Sequence, residues 1–385
     1  MTPLAITLKI QNRSKGDNLM ARSSFSRRRF NKWLAASLLL GGARVSAQTA
    51  IGKGDSNVVK PSKRLQVAAI QMVPKLGDAH SNMNQAEHLV RKAMQQGAEW
   101  IILPEMFTSA AAFHPDMLKA IQPLDGAPLK LLKKLSREGN AVIGGSFLAQ
   151  REQQVFNTFV LVFPDGTVVQ HDKDFPTYWE NCYYKGGKDD GVLSTPIGPV
   201  GSVLCWEFIR SKTAKRLLNK VNLVVGGSCW WTLPDDADPD SPRWDANLSM
   251  LQQAAPRMAK MLGAPVIHGS HAGNFEGFFS PELPDVPYNS AFLGEAMIVD
   301  AHGKVLARRA QKSGEGVVTA QVEVINKPVP SESIPERFWI PEEMPEDWKE
   351  SWTRWFDKGA DYYEMVTAPY LETGIIAEYI PEYLR

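Results

Sequence analysis

Gly201-Ser202-Val203-Leu204-Cys205-Trp206-Glu207 is the stretch on which the reading of this chain turns. Val200 and residues 202–204 are small or apolar and read as the end of a buried strand. Cys205 follows, and residues 208–219 read as a helix. The first turn of a helix offers unpaired backbone N–H groups and a partial positive charge, and both favour a thiolate or an oxyanion. Read alone, the same cysteine also fits a small buried hydrophobe, since free cysteine is among the most buried residue types. The surrounding chain has to decide between a nucleophile and a core residue.

Upstream, residues 65–72 read as a strand. Asp78 is a candidate helix cap, and Met83, Ala86, Leu89, Val90, Ala93 and Met94 recur at helical spacing up to a stop at Gly97. Residues 100–103 form a second apolar strand that ends in Pro104-Glu105, residues 123–135 hold a short helix, and 141–147 are a third strand. Residues 156–163 and 167–170 pair as a hairpin around Asp165-Gly166. Downstream, 223–227 and 265–269 are strands on either side of a long helix over 243–262. Residues 290–299 and 305–308 pair across His302-Gly303, and 317–324 close the set. Strands alternating with helices, the strands nearly continuous in apolar residues, predict an α/β fold with buried sheets.

The flanks have a different character. Residues 1–47 read as an export leader: Ser26-Arg27-Arg28-Arg29-Phe30-Asn31-Lys32 is a twin-arginine motif, residues 33–42 are apolar, and Val45-Ser46-Ala47 offers a cleavage site. That apolar run is too short to span a bilayer. A periplasmic or secreted protein, passed folded through the twin-arginine export machinery, is the expectation. Of 43 basic and 42 acidic residues, nine and one fall in this leader, which leaves 34 against 41. The remaining chain is acidic on balance and has no basic run suited to nucleic acid or an anionic membrane. Three cysteines, Cys182, Cys205 and Cys229, make no disulfide framework. Residues 48–64 read as a linker, 65–325 as the folded domain, and 326–385 as an extension that packs on the domain or on a partner subunit. Trp348, Trp352 and Trp355 share one helical face in that extension.

Three strand ends carry the chemistry: Glu105, Lys173 after the second arm of the hairpin, and Cys205. A carboxylate or an ammonium at the end of an apolar strand is costly to bury without a partner. Bringing both to one thiol removes that cost and builds a catalyst: Glu105 as proton acceptor, Lys173 and the Trp206 backbone N–H as oxyanion donors. Taken singly, Glu105 also fits a helix cap and Lys173 a solvated hairpin end. His268-Gly269-Ser270-His271 has two imidazoles without a third ligand and reads as a strand end, not a metal site.

Together these residues resemble the nitrilase, or carbon–nitrogen hydrolase, superfamily over about residues 65–324. Gln96-Gly97-Ala98-Glu99-Trp100-Ile101-Ile102-Leu103-Pro104-Glu105 looks like the motif that ends in the superfamily's general-base glutamate, and Lys173 lies 32 positions before Cys205, within the superfamily's usual range. Lys173-Asp174-Phe175-Pro176-Thr177-Tyr178-Trp179-Glu180 and Cys205-Trp206-Glu207 are similar to the nitrile-hydrolysing branch, and Glu180 matches the glutamate that holds lysine or substrate in place. Tyr288-Asn289-Ser290 through Gly303 looks like the closing sheet motif, whereas residues 275–287 have no counterpart.

The resemblance implies a four-layer α-β-β-α sandwich, a homodimer or larger homo-oligomer, and no metal or organic cofactor. It implies hydrolysis of a small nitrile or amide through a covalent Cys205 intermediate, with a nitrilase slightly favoured over an amidase or carbamoyl amidase. Phe107, Trp206, Trp230 and Trp231 are candidates to shape an apolar substrate pocket, and Cys229 to form part of its wall. The competing expectation is an exported ligand-binding protein that keeps the fold without turnover.

Overall fold

The computed structural model describes residues 61–326, 328–336 and 346–376. The expected leader and most of the expected linker lie outside the described residues. The first strand, β1 (Pro61–Met72), starts four residues inside the stretch read as linker. Those residues are held because β1 pairs antiparallel with the last strand of the domain from Pro61 opposite Ile325 onward.

The chain then alternates helix and strand. Helix α1 (Ala79–Gln95) starts where the Asp78 carboxylate accepts the Ser81 N–H at 2.9 Å, and Gly97, at φ 80°, turns the chain away from its end. Strand β2 (Trp100–Ile102), helix α2 (Ala127–Gly139) and the meander β3 (Val142–Arg151), β4 (Gln154–Val162) and β5 (Val168–Asp172) follow. The second half holds β6 (Val200–Leu204), α3 (Ser211–Leu217), β7 (Leu223–Ser228) and α4 (Arg243–Leu262). It ends with β8 (Val266–Phe275), β9 (Ser290–Val299), β10 (Val305–Ala310) and β11 (Gly316–Ile325).

The strands lie in the order β5-β4-β3-β2-β1, with β11 on the free side of β1, and β10-β9-β8-β7-β6. The two runs join only where Gln71 and Met72 at the end of β1 meet Ser270 and His271 of β8. Along β1, Leu65, Val67 and Ala69 point to a layer shared with Ile267, Ile298 and Val225, so the two sheets face each other. Ala68 and Ile70, one residue out of phase, pack instead with Leu89 of α1 and Leu132 of α2. On the far sheet Val224 and Val266 pack against Leu217 of α3 and Met258 of α4. The fold is therefore the expected four-layer α-β-β-α sandwich. Full burial of each Val, Leu or Ile contributes about 1.5–3 kcal/mol, a reserve large enough to hold charged groups at the strand ends.

Two local expectations change. The helix foreseen over residues 208–219 is a 3₁₀ turn, Cys205–Ile209, followed by the short α3. Arg210 between them is extended (φ −106°, ψ 125°), which breaks the helix. Strand β8 continues past residue 269 to Phe275, and part of the unplaced segment 275–287 forms a hairpin of Phe278–Ser280 with Leu283–Pro287. The extension contains α5 (Glu346–Tyr362), a π turn (Tyr363–Thr367) and a short helix (Ala368–Thr373). It packs on the domain's own 3₁₀ turn Tyr178–Cys182: Asn181 Nδ2 donates to Phe356 O at 2.5 Å, and Thr367 Oγ1 donates to Cys182 O at 2.5 Å. The side chains of Trp348 and Trp352 lie outside the described residues.

Candidate active site

Glu105, Lys173, Glu180 and Cys205 come together at the strand ends, and none exposes more than 1% of its surface. Burial on this scale makes every partner count, since an ion removed from water carries a penalty of several kcal/mol unless it is paired, as a rough guide. Lys173 Nζ lies 2.9 Å from Glu105 Oε1 and 2.7 Å from Glu180 Oε2, and also reaches Thr177 Oγ1 at 3.4 Å. Glu105 is fixed on both oxygens: Asn157 Nδ2 donates to Oε1 and the Cys229 N–H to Oε2, each at 2.9 Å. Its own carbonyl receives His271 Nε2 at 2.8 Å, and the Met106 N–H donates to Ser146 Oγ at 2.8 Å. Glu180 Oε2 also accepts from the Thr177 N–H at 2.8 Å and from the Tyr184 hydroxyl.

The electrostatics follow from burial and these neighbours. Burial pushes the Glu105 carboxyl up, and Lys173 opposes that shift. Burial works against a charged Lys173, yet Glu105 and Glu180 outweigh it and raise its pKa well above the usual lysine value. Burial, then the charge of Glu105, lifts the Cys205 thiol, while Lys173 pulls it down. The resting set is an ammonium between two carboxyl groups with a protonated thiol beside it, so a base has to take the thiol proton during reaction.

The backbone is unusual at the same places. Cys205 has φ 50°, Met106 φ 46° and Tyr178 φ 51°, all in the left-handed region that L side chains rarely adopt. Such conformations persist where surrounding contacts over-determine them. At Cys205 the contact is Glu207, whose Oε2 accepts the Leu204 N–H at 2.9 Å and so closes the turn around the thiol. Glu207 Oε1 accepts the Asp174 N–H at 3.1 Å, next to Lys173. His171 Nε2 lies 3.1 Å from Glu207 and its Nδ1 2.5 Å from Asp189, while Arg216 bridges Glu207 and Asp174. Although burial opposes it, Glu207 and Asp189 raise the His171 pKa to about 10. One carboxylate thus ties the turn that carries the cysteine to the strand end that carries the lysine.

The carbon-nitrogen hydrolase family model matches residues 66–325. The chain belongs to this family. It is 29% identical over 286 residues to an N-carbamoylputrescine amidase of Solanum lycopersicum, covering 69% of this chain and 89% of that one. It is 26% identical over 287 residues to a nitrilase of Penicillium rubens, covering 69% and 86%. Among solved structures, a carbon-nitrogen hydrolase from Helicobacter pylori G27 superposes with TM-score 0.58 at 15% identity, over 68% of this chain and 90% of that one. The protein is a hydrolase of carbon–nitrogen bonds.

Within this carbon-nitrogen hydrolase the other sequence candidates separate. Trp206 and Trp230 meet at 5.9 Å beside Cys205, although Trp230 is buried against the α4 layer, its Nε1 donating to Asn247 Oδ1 at 2.8 Å. Trp231 stacks on Trp179 at 5.4 Å. Phe107 goes elsewhere: it packs on Phe147 at 6.4 Å in the layer between the sheet and helices α1 and α2, because the chain has already reversed at Met106. The Trp206 N–H belongs to the first turn of the 3₁₀ segment, not of an α-helix. His268 and His271 serve Ser228 and the Glu105 carbonyl, and among the described residues no group of three His, Cys, Asp or Glu is placed to hold a metal ion.

From sequence alone Asn157, Tyr184 and His171 carry no role, and Thr177 and Glu207 enter only as members of motifs, without their contacts. Asn157 did leave a trace, a polar residue on a strand that is otherwise largely apolar and buried, whereas His171 sits on a mixed strand in which it is the one buried residue. The Cys229 contribution is a backbone N–H, and no side-chain pattern signals that.

Proposed function

We propose that the protein hydrolyses non-peptide carbon–nitrogen bonds of small amides or nitriles through an acyl thioester on Cys205. The observation that carries this reading is the fully buried Glu105–Lys173–Glu180 ion set at the end of the strand preceding Cys205. Glu105 takes the thiol proton as Sγ attacks the carbonyl or nitrile carbon. Lys173 and the Trp206 N–H receive the negative charge that develops on oxygen or nitrogen. With an amide, the tetrahedral adduct collapses, the C–N bond breaks, and ammonia or an amine leaves with a proton from Glu105. With a nitrile, a thioimidate forms first and water adds to it before ammonia leaves. Both routes reach the same thioester, and Glu105 then deprotonates the water that releases the acid and restores the thiol. Proton transfer of this kind contributes about 10²–10⁴-fold, and an oxyanion donor about 10²–10³-fold.

The Lys173-x-x-Pro176-Thr177-x-x-Glu180 and Cys205-Trp206-Glu207 segments favour nitriles. The amidase reading stands second, favoured by the similarity to a carbamoylputrescine amidase. Export through the twin-arginine route to the periplasm or beyond, from residues 1–47, and assembly as a homodimer or larger belong to the same proposal. Ammonia release from nitriles, aliphatic amides and carbamoyl amines, with Cys205→Ala as control, tests it. Cys205-dependent release from nitriles alone supports the nitrilase reading, and release from amides or carbamoyl compounds the amidase reading. Ligand binding with no Cys205-dependent product would mark a binding protein instead.

A further inference from the structure

Six aromatic rings form a continuous arc that starts beside the nucleophile. Trp230 meets Trp206 at 5.9 Å, Trp206 meets Tyr178 at 5.5 Å, and Tyr178 meets Trp355 at 5.3 Å. Trp355 meets Phe279 at 5.4 Å, and Phe279 meets Tyr288 at 5.8 Å. The rings come from distant parts of the chain. Trp206 follows Cys205, Tyr178 lies two residues before Glu180, Phe279 sits in the hairpin after β8, and Trp355 is on α5. All but Trp230 are only half-buried, so the arc keeps open apolar surface although its members touch. Trp206 follows Cys205 in the chain and packs against the cluster that contains it, and partly exposed apolar surface starting there is a place for a ligand.

The extension is anchored well enough to hold a wall in place. Phe356 stacks on Phe175 at 4.9 Å with planes 4° apart. Arg354 Nε donates to Glu282 Oε1 of the hairpin at 2.8 Å, and Tyr363 OH accepts the Val155 N–H at 3.0 Å. Tyr362, Tyr363 and Val366 are buried among Phe113, Trp179 and Tyr183. These contacts straddle the loop that presents Lys173 and Glu180. The extension and Phe279 lie on parts of the chain that the sequence resemblance did not place, and α5 lies beyond the residues matched by the family.

We propose that the C-terminal extension completes the substrate pocket, Trp355 joining Phe279, Tyr178 and Trp206 in an aromatic wall that selects nitriles or amides bearing an aryl or arylalkyl group. The inference rests on the hydrolase reading of the same site. A flat ring on the substrate stacks on or meets edge-on the rings of the arc while its reacting carbon reaches Cys205. A short aliphatic substrate reaches the same thiol without touching Trp355.

The test compares kcat/KM for phenylacetonitrile against propionitrile, and phenylacetamide against propionamide, in wild type, Trp355→Ala and Trp355→Phe. The wild type should prefer the aryl member of the pair that it hydrolyses. Trp355→Ala should lower the aryl-to-alkyl ratio about tenfold, the scale expected for losing one aromatic contact, and Trp355→Phe should restore most of it. If Trp355→Ala fails to fold, Phe279→Ala probes the same wall from the hairpin. A parallel readout needs no turnover: alkylation of Cys205 by iodoacetamide and by N-phenyl iodoacetamide, located by mass spectrometry. If no substrate is hydrolysed but Trp355→Ala selectively slows the aryl reagent, the hydrolase reading fails and the wall stands. An unchanged ratio, or equal losses for both members, overturns the wall and leaves the hydrolase reading untouched. A changed sedimentation coefficient in Trp355→Ala with an unchanged ratio would assign the arc to contact with a second copy and equally overturn it.

Discussion

Two buried charge clusters flank the cysteine turn, and they are finished differently. In front, Glu105, Lys173 and Glu180 share one ammonium between two carboxyl groups, and Glu180 Oε1 and Asn157 Oδ1 have no protein partner. Behind, the Glu207 carboxylate is saturated: Oε1 accepts from Asp174 N–H and Arg216, Oε2 from Leu204 N–H, and His171 lies against both. A buried polar atom left unsatisfied costs roughly 1–3 kcal/mol, so the first cluster is poorer as a structural element and keeps acceptor atoms unused. The second has no lone pair to spare and acts as a brace. Glu105 and Glu207 are equally buried carboxyl groups, and the difference lies in which of the surrounding acceptor atoms are already used.

The largest expected effects break the front cluster. Cys205→Ala, Glu105→Gln and Lys173→Met should each lower turnover at least ~10³-fold and leave the fold intact by circular dichroism. Wild-type rates in any one of them would remove that residue from the mechanism. Glu180→Gln should cost less, about 10²-fold in kcat, because Thr177 still helps to hold Lys173. An unaltered kcat would reduce Glu180 to a packing residue.

The rear cluster should answer in stability before activity. Glu207→Gln leaves His171 and Arg216 facing a neutral amide, and breaking a buried ion pair this way costs about 3–5 kcal/mol. Urea unfolding at pH 7 measures it, and a loss within experimental error would show that the brace is dispensable. The same cluster should also answer in pH. His171 is raised from 6.5 to about 10 on folding, so its contribution is whole below pH 6.5 and declines as pH rises. It is gone once the pH has passed about 10. In His171→Gln the wild-type fall in stability between pH 7 and 10 should flatten, and an identical slope in both proteins would contradict a charged His171.

The same two clusters show what could be read in advance. Glu105 and Cys205 each follow an apolar strand, where such a side chain stands out from its neighbours, whereas Lys173 closes a mixed strand and is marked by its place in the family resemblance; the alternation of strand and helix announces an α/β fold with buried sheets. Glu207 adjoins Trp206 in the same motif, but its partners His171, Asp189 and Arg216 lie 36, 18 and 9 positions from it or from each other in chain terms. No local pattern connects them. Phe107, a candidate for the apolar pocket by residue type, shows the limit from the other direction: the reversal at Met106 sends it into the layer between the sheet and helices α1 and α2.

The sequence by itself determined the alternation of strand and helix and marked Glu105, Lys173 and Cys205 as the candidate residues, because periodicity and unlike neighbours are local properties, while the four layers came from the family resemblance. It also marked α5 as a helix with tryptophans on one face. Only the tertiary structure decided that Glu105 is held by a backbone N–H from Cys229, that the cysteine turn is 3₁₀ and closed by Glu207, and that Trp355 joins the arc beginning at Trp206. These depend on which strand ends fall side by side when the two sheets stack. That is settled by the whole packed core, not by any segment of the chain.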